Sequence, residues 1–410
     1  MTDQQQNEAA VDAVEGLLGQ YLPVYEDFHA HPELSFDEHR TADRIAAHLR
    51  RLGLKVVPIT ETGLVGVLEN GEGPAVAFRA DIDGLPFREE SGLPYASTAT
   101  ATLNGQTVPV MHGCGHDTHI TSALIAAEAL AAHRDAWSGT AEFIFQPAEE
   151  TAGGAIALVD AGLWTKVPKA AVVLGQHVWP GLAGDILLHP GSAMALADSL
   201  RVTVRGRQAH GSRPEASIDP VVLAASIVLR LQTIVSRELD PLSPAVVTVG
   251  TIHGGSKENI IPAEVVLELN IRTPDEDVRA QVLAAVTRIV EGEARTSGAP
   301  EPSIEEIYRF PRLYNEPEIA TAVAAAIGGA IGTAHVVEPP FMMGSEDVGH
   351  LGDSAGIPTV FWMFGMYRPE QMERGDIAVN HTPRFVPGDI QLTLGTGARA
   401  AVAALLDRLD

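Results

Sequence analysis

Residues 112–119 read His-Gly-Cys-Gly-His-Asp-Thr-His, four possible metal ligands in eight positions with glycines between them. Glycine lets a backbone fold tightly around an ion. Cys114 and His116 stand two apart and cannot share a helix face, so this run is expected in a loop, with a helix beginning at about Thr118. The helix dipole and a bound metal would both favour a thiolate at Cys114. A buried thiol beside surface histidines would carry the same letters. Four thiol or imidazole ligands at finger spacing are absent, which argues against a zinc finger.

Further candidates follow along the chain. Glu149 and Glu150 come directly after Phe-Ile-Phe-Gln-Pro-Ala at 143–148. Adjacent glutamates are often just a solvated charge pair. At the end of an extended segment, however, neighbouring side chains point to opposite sides, so one carboxylate can hold a metal while the other faces a water molecule. Metal-assisted hydrolysis needs that division of labour. His177, close to Trp179 and Pro180, could simply pack, and so could His381. With Cys114, His116 and Glu150 they make five ligands, which suits two metals sharing a bridge. A second constellation lies at 208–214 (Gln-Ala-His-Gly-Ser-Arg-Pro), at 257–262 (Lys-Glu-Asn-Ile-Ile-Pro) and at Arg272. It reads either as turn chemistry with solvated charges or as substrate recognition, with His210, Asn259 and Arg272 binding an oxyanion and a free carboxylate.

These residues need elements to carry them. Helical periodicity is expected over 8–28, 37–52, 118–133 and 155–161, with strands at 55–59, 64–69, 75–80, 141–146 and 170–175. Apolar strands alternating with helices imply an α/β domain, its mainly parallel sheet covered by helices on both faces. In such a sheet ligands bind beyond the carboxyl ends of the strands, where most of the candidates lie. From about residue 192 the pattern changes to strand 196–205, helix 219–238, strands 245–252 and 263–272, helix 275–296 and strand 303–308. That order, βαββαβ, is ferredoxin-like. The α/β style returns with helix 316–330, strand 357–363 and helix 387–409. The expected organisation is a discontinuous domain at 1–190 and 311–410, interrupted by a smaller one at 191–310.

Composition narrows the function. Of 410 residues, 28 are Lys or Arg and 53 are Asp or Glu, a net charge of −25. A basic patch for nucleic acid or anionic lipid is not expected, so neither is counted as a partner. One cysteine excludes an intrachain disulfide framework. The first residues lack the basic and apolar regions of a secretory signal. The longest apolar helix candidate, 221–235, is interrupted by Arg230 and Gln232, so no membrane span and a cytoplasmic location are expected.

The motifs together resemble the co-catalytic metallopeptidase family of aminoacylases and carboxypeptidases. Within it they are most similar to the amidohydrolase branch of hippurate hydrolases, N-acyl-amino-acid amidohydrolases and plant auxin-conjugate hydrolases. The matching stretches are HAHPELSFDE at 29–38, RADIDGLP at 79–86, MHGCGHDTH at 111–119, FQPAEE at 145–150 and GQHVWP at 175–180. AHGSRPE at 209–215, NIIPAE at 259–264, GSEDVGHL at 344–351 and NHTPRF at 380–385 extend the likeness. The resemblance implies two divalent ions per subunit (zinc, manganese, nickel or cobalt) on Cys114, His116, Glu150, His177 and His381, with Cys114 as the bridge. It implies Glu149 as the general base that passes a proton to the leaving amine. His210 would stabilise the oxyanion, Asn259 and Arg272 would hold the substrate, and Asp83 would orient a ligand. Asp81 stands where other branches carry a metal-binding histidine. The inserted domain would be a lid through which a homodimer or higher oligomer forms. The implied reaction cleaves an N-acyl amino acid to a free amino acid and a carboxylate. The alternative is a dipeptidase or carboxypeptidase on the same scaffold. A metal-dependent binding protein without turnover is disfavoured by Glu149 and the complete ligand set. Relatives often carry His after the lid proline, where this chain has Glu215. Met342, Met343 and Phe361 could line an acyl pocket or pack in a core.

Overall fold

Strand Ala75–Asp81, buried along nearly its whole length, lies between two parallel neighbours, Gly139–Gln146 and Val172–Leu182. Such a strand has to be apolar on both faces, and this one is until Arg79. Thr359–Tyr367 extends the parallel run from Val172–Leu182, whereas Leu64–Asn70 and Lys55–Pro58 close the other edge antiparallel. The computed structural model describes residues 3–409. Its contacts divide the chain into two units, Met1–Ala193 with Tyr314–Pro340 and Asp347–Asp410, and Met194–Leu313 with Phe341–Glu346.

In the larger unit, Phe143, Phe145 and Leu174 join one core with Ile120, Leu124 and Ala127 of helix His116–Ala132 and Leu394, Ala398 and Leu405 of helix Ile390–Leu409. Gly175 faces the other way, towards Phe361 and Val348. Both faces are therefore covered, as the doubly sided apolar pattern requires. Two elements depart from the sequence expectation. Strand Val172–Leu182 continues past Gly175 because Thr359–Tyr367 goes on pairing with it, so His177 lies inside a strand opposite Met363. The helix expected from Thr118 begins at His116, because Gly115 takes the left-handed conformation (φ 82°) that turns the chain into it.

The smaller unit is a four-stranded antiparallel sheet in the order Val246–Gly254, Glu264–Thr273, Leu196–Arg205, Ser303–Phe310. In chain order that is 2-3-1-4, the ferredoxin-like arrangement of a βαββαβ chain. Val265, Leu267, Leu269 and Ile271 alternate onto one face, where Leu223, Ile227 and Leu231 of helix Pro220–Thr233 and Val282, Val286 and Ile289 of helix Glu276–Thr296 cover them. Segment Phe341–Glu346 also belongs to this unit and was not assigned to it from sequence. Among the described residues one helix, Pro220–Glu238, is long and apolar enough to cross a membrane by length and composition. Here its buried side lies in the lid core, while Val222 and Leu229 are exposed.

Candidate metal centre

The candidate centre begins with Asp81 and Asp83 at the end of strand Ala75–Asp81. Asp81 is fully buried, and its Oδ2 lies 2.7 Å from Arg79 Nη1. Its Oδ1 accepts a short hydrogen bond from His119 Nδ1. His119 Nε2 in turn accepts the Val178 N–H at 2.8 Å, so both ring nitrogens are committed and the imidazole is neutral. Burial also lowers the His119 pKa. His112 donates from Nδ1 to the Asp83 carbonyl at 3.2 Å, and burial takes its pKa down to about 4. Of the outer two histidines of the 112–119 run, His119 is thus committed on both nitrogens and His112 on Nδ1, the buried His112 Nε2 having no hydrogen-bond partner. The reading of surface histidines fails, since His112, His116 and His119 are all buried.

Cys114 and His116 are the ones left facing inwards. Cys114 Sγ lies 3.3 Å from His177 Nε2, and the Asn380 amide approaches the same sulfur at 3.5 Å. His177 donates from Nδ1 to the Val178 carbonyl at 2.6 Å, which leaves the Nε2 lone pair directed at the sulfur. Glu150 Oε1 is 3.9 Å from His116 Nε2 and 3.3 Å from His381 Nε2. All five sequence-predicted ligands are therefore joined by close approaches. His381 reaches the group from a left-handed backbone position (φ 64°) and is tied to Gly113 by its own N–H.

Glu149 and Glu150 stand in a single 3-10 turn, Glu149–Thr151, and not in an extended segment as the sequence suggested. The turn forms because Asp83 collects its amides: Glu149 N donates to Oδ1 at 3.2 Å and Glu150 N to Oδ2 at 3.1 Å. The two carboxylates still part company. Glu150 lies with Cys114 and His116, whereas Glu149 approaches Asp347. Asp83 also accepts from Ser35 at 2.7 Å and lies 3.2 Å from His116 Nδ1. That approach is out of line for a hydrogen bond, and neither ring nitrogen of His116 has a hydrogen-bond partner.

Divalent metals fit this donor set. Both nitrogens of His116 and Glu150 Oε1 are buried polar atoms without hydrogen-bond partners, a costly arrangement unless something binds them. Cys114, His116 and Glu150 offer ligand atoms within 4.8 Å of one another. Asp81, His116, His119 and His177 also bring polar atoms within that distance of one another, but both His119 nitrogens are already committed to Asp81 and Val178. Burial, together with the charges of Glu150 and Glu149, holds the Cys114 thiol well above its usual pKa, so only a cation would release its proton. Burial alone would lower His116, but Asp81, Asp83 and Glu150 outweigh it and raise the ring to about 10. The surroundings call for positive charge at that point.

The second constellation belongs to the lid unit. His210 in Ala209–His210 pairs with Ile260 beside Asn259, whose carbonyl accepts the Gly211 N–H at 2.8 Å. The Ser212 N–H and hydroxyl both reach His210 Nδ1, at 3.2 and 2.7 Å. Nδ1 is thus an acceptor and Nε2 carries the proton as an exposed donor. Arg272 is held elsewhere in the unit, by Asn270 Oδ1 and Ser345 Oγ at 3.0 Å each. Glu215 lies 3.2 Å from Arg213 Nε on the surface. The contributions of Glu38 and Arg79 were missed from sequence, and His119, read there as a possible ligand, instead holds Asp81 and the Val178 amide. The only sequence signal for the first two was their place inside the quoted motifs.

The profile of peptidase family M20/M25/M40 matches residues 77–403. Thermostable carboxypeptidase 2 of Saccharolobus solfataricus is 33% identical over 390 residues, covering 93% of this chain and 94% of that protein. Hippurate hydrolase of Campylobacter jejuni is 36% identical over 339 residues, 81% of this chain and 85% of that one. Among solved structures, a dinuclear metal-binding peptidase from Bacillus subtilis superposes with a TM-score of 0.76 at 28% identity, over 96% of this chain and 99% of that chain.

Proposed function

The chain belongs to peptidase family M20/M25/M40, and from that membership we propose a metal-dependent amidohydrolase that cleaves N-acyl amino acids to a free amino acid and a carboxylate. The protein is a hydrolytic enzyme with a metal-binding centre. The observation that carries the reading is the buried Cys114, His116 and Glu150 donor group, with His177 against Cys114 and His381 against Glu150, and with Glu149 next to Glu150 on the same turn. Two divalent ions would be held by Cys114, His116, Glu150, His177 and His381. Bound there, they supply Lewis acidity towards the amide carbonyl and towards water.

The chain's own residues do the rest. Glu149 takes a proton from the attacking water as the oxygen–carbon bond forms. It returns that proton to the amide nitrogen as the carbon–nitrogen bond breaks. His210, protonated on Nε2, donates to the oxyanion. Asn259 and Arg272 hold the substrate, and Asp83 fixes both His116 and the Glu149 turn. The metal is zinc, manganese, nickel or cobalt, and the location is cytoplasmic. A homodimer or higher oligomer forms through the lid. The edge strand Val246–Gly254 and the exposed Val221, Val222 and Leu229 support that assembly.

A second reading, a carboxypeptidase or dipeptidase, is favoured by the likeness to the Saccharolobus enzyme. One experiment separates the two. The purified protein is offered N-acetyl, N-benzoyl and indoleacetyl amino acids and simple dipeptides, with added manganese or zinc and again after chelation. Chelator-sensitive release of amino acid from an acyl conjugate is expected. Turnover of dipeptides alone moves the protein to the second reading, and metal binding without turnover of any amide removes both.

A further inference from the structure

The turn that carries Glu149 is strained at both ends. Ala148 (φ 51°) and Ala152 (φ 54°) flank Glu149–Thr151 and both occupy the left-handed region that residues with a side chain avoid. Such strain persists only where the surroundings over-determine it. Within the turn itself, the Ala152 N–H donates to the Glu149 carbonyl. The amides of Ala148, Glu149 and Glu150 point instead to two buried carboxylates from distant parts of the chain. Glu149 and Glu150 donate to Asp83, and Ala148 donates to Glu38 Oε1 at 2.9 Å.

Glu38 is fully buried and held on both oxygens. Its Oε1 also accepts the Phe36 N–H at 2.9 Å, and its Oε2 accepts the Thr62 hydroxyl at 2.8 Å. Phe36 is itself left-handed (φ 66°). Its ring lies so close to Gly153, just past the turn, that a Cβ there would meet it at 3.1 Å. One carboxylate oxygen therefore grips two strained residues, one on each side of the same junction. Asp83, by contrast, borders His116 and cannot be changed without touching the centre.

We propose that Glu38 is a positioning residue for the hydrolysis: by holding Ala148 in the left-handed conformation it sets the direction in which Glu149 leaves the backbone. The proposal rests on the reading of Glu149 as the base. What is needed from Glu38 is reach and an acceptor oxygen, not a negative charge. Its Oε1 accepts two backbone N–H groups, which an amide oxygen accepts as well, so a neutral isostere should serve.

The test compares Glu38→Ala, Glu38→Gln and Glu38→Ala combined with Ala148→Gly. Misplacing a reacting group by about 1 Å can cost about 10²-fold, so Glu38→Ala should lose about that much kcat with KM within about threefold of wild type. Glu38→Gln should keep most of kcat. Glycine needs no help to stay at positive φ, so Ala148→Gly should restore kcat at least about fivefold in the Glu38→Ala background. In metal-free protein, the Ala148 amide should exchange with solvent faster in Glu38→Ala and at the wild-type rate in Glu38→Gln. If Glu38→Ala does not fold, Glu38→Asp replaces it: the charge stays but the reach to Ala148 is lost, and the same kcat loss is expected. Wild-type kcat and exchange in Glu38→Ala overturn the proposal, as does a kcat loss that glutamine repeats and glycine at 148 does not relieve. A wild-type protein that hydrolyses no amide overturns the amidohydrolase reading, and exchange at Ala148 then still decides whether Glu38 holds the turn.

Discussion

The buried centre and the His210 loop use histidine in opposite ways. In the centre His177 is fixed through the Val178 carbonyl and His119 between Asp81 and the Val178 amide, while Asp83 approaches His116 at 3.2 Å. In the lid, His210 is exposed and steadied by Ser212, two residues along. A cavity for cations has to present unprotonated donors in fixed directions, because a buried donor that turned away would be left without a partner. A group that meets substrate from solvent needs only the right tautomer. The centre is therefore assembled from remote strands, and the loop from its own neighbours.

That contrast predicts where damage is greatest. Glu149→Gln should lower kcat by about 10⁴-fold, the upper end for a general acid–base group. Metal content and melting temperature should stay at wild-type values, because Asp83 holds the turn through its backbone. Wild-type-like turnover would remove Glu149 from the base role. On the exposed side, His210→Ala should lower kcat by about 10²–10³-fold, the usual loss for one oxyanion donor, with metal affinity unchanged. A fall in metal affinity with His210→Ala would break the contrast, since the two regions would then not be independent.

The division of labour was legible because ligand chemistry restricts residue type. Cysteine, histidine and glutamate at strand ends stood out without any structure, and the βαββαβ order from about residue 192 made the smaller domain readable. What stayed hidden were partners with no local spacing. His112, His116 and His119 share one run, yet which ring faces inwards depends on the helix starting at His116 and on Asp81, 38 residues away from His119. Glu38 finds Ala148 at a separation of 110 residues. The single turn at Glu149 was unreadable for the same reason, since its cause is Asp83 and not its own sequence.

Asp83 gives a sharper test of the buried side. It joins His116 to the amides of Glu149 and Glu150, so Asp83→Asn turns one acceptor into a donor facing either the ring or an N–H group. Loss of such a supporting contact typically costs about 10–100-fold in metal affinity or activity. Titration of metal-free protein with manganese or zinc should show that weakening, and His210→Ala should not. If Asp83→Asn binds metal as wild type does, the fixed directions of the buried donors do not depend on it.

The smallest effect belongs to Ser212. Its hydroxyl and its amide both point at His210 Nδ1, and alanine removes only the hydroxyl. The backbone N–H still requires Nδ1 to accept, so the Nε2 proton stays in place. One hydrogen bond between neutral groups contributes about 1 kcal/mol, so Ser212→Ala should lower kcat/KM by about fivefold. A larger loss, comparable to that of His210→Ala, would mean that the hydroxyl itself meets the substrate. No loss would mean that the amide alone sets the tautomer. Either result refines the same point: the exposed His210 is steadied locally, and the local contact is the one that can be removed at least cost.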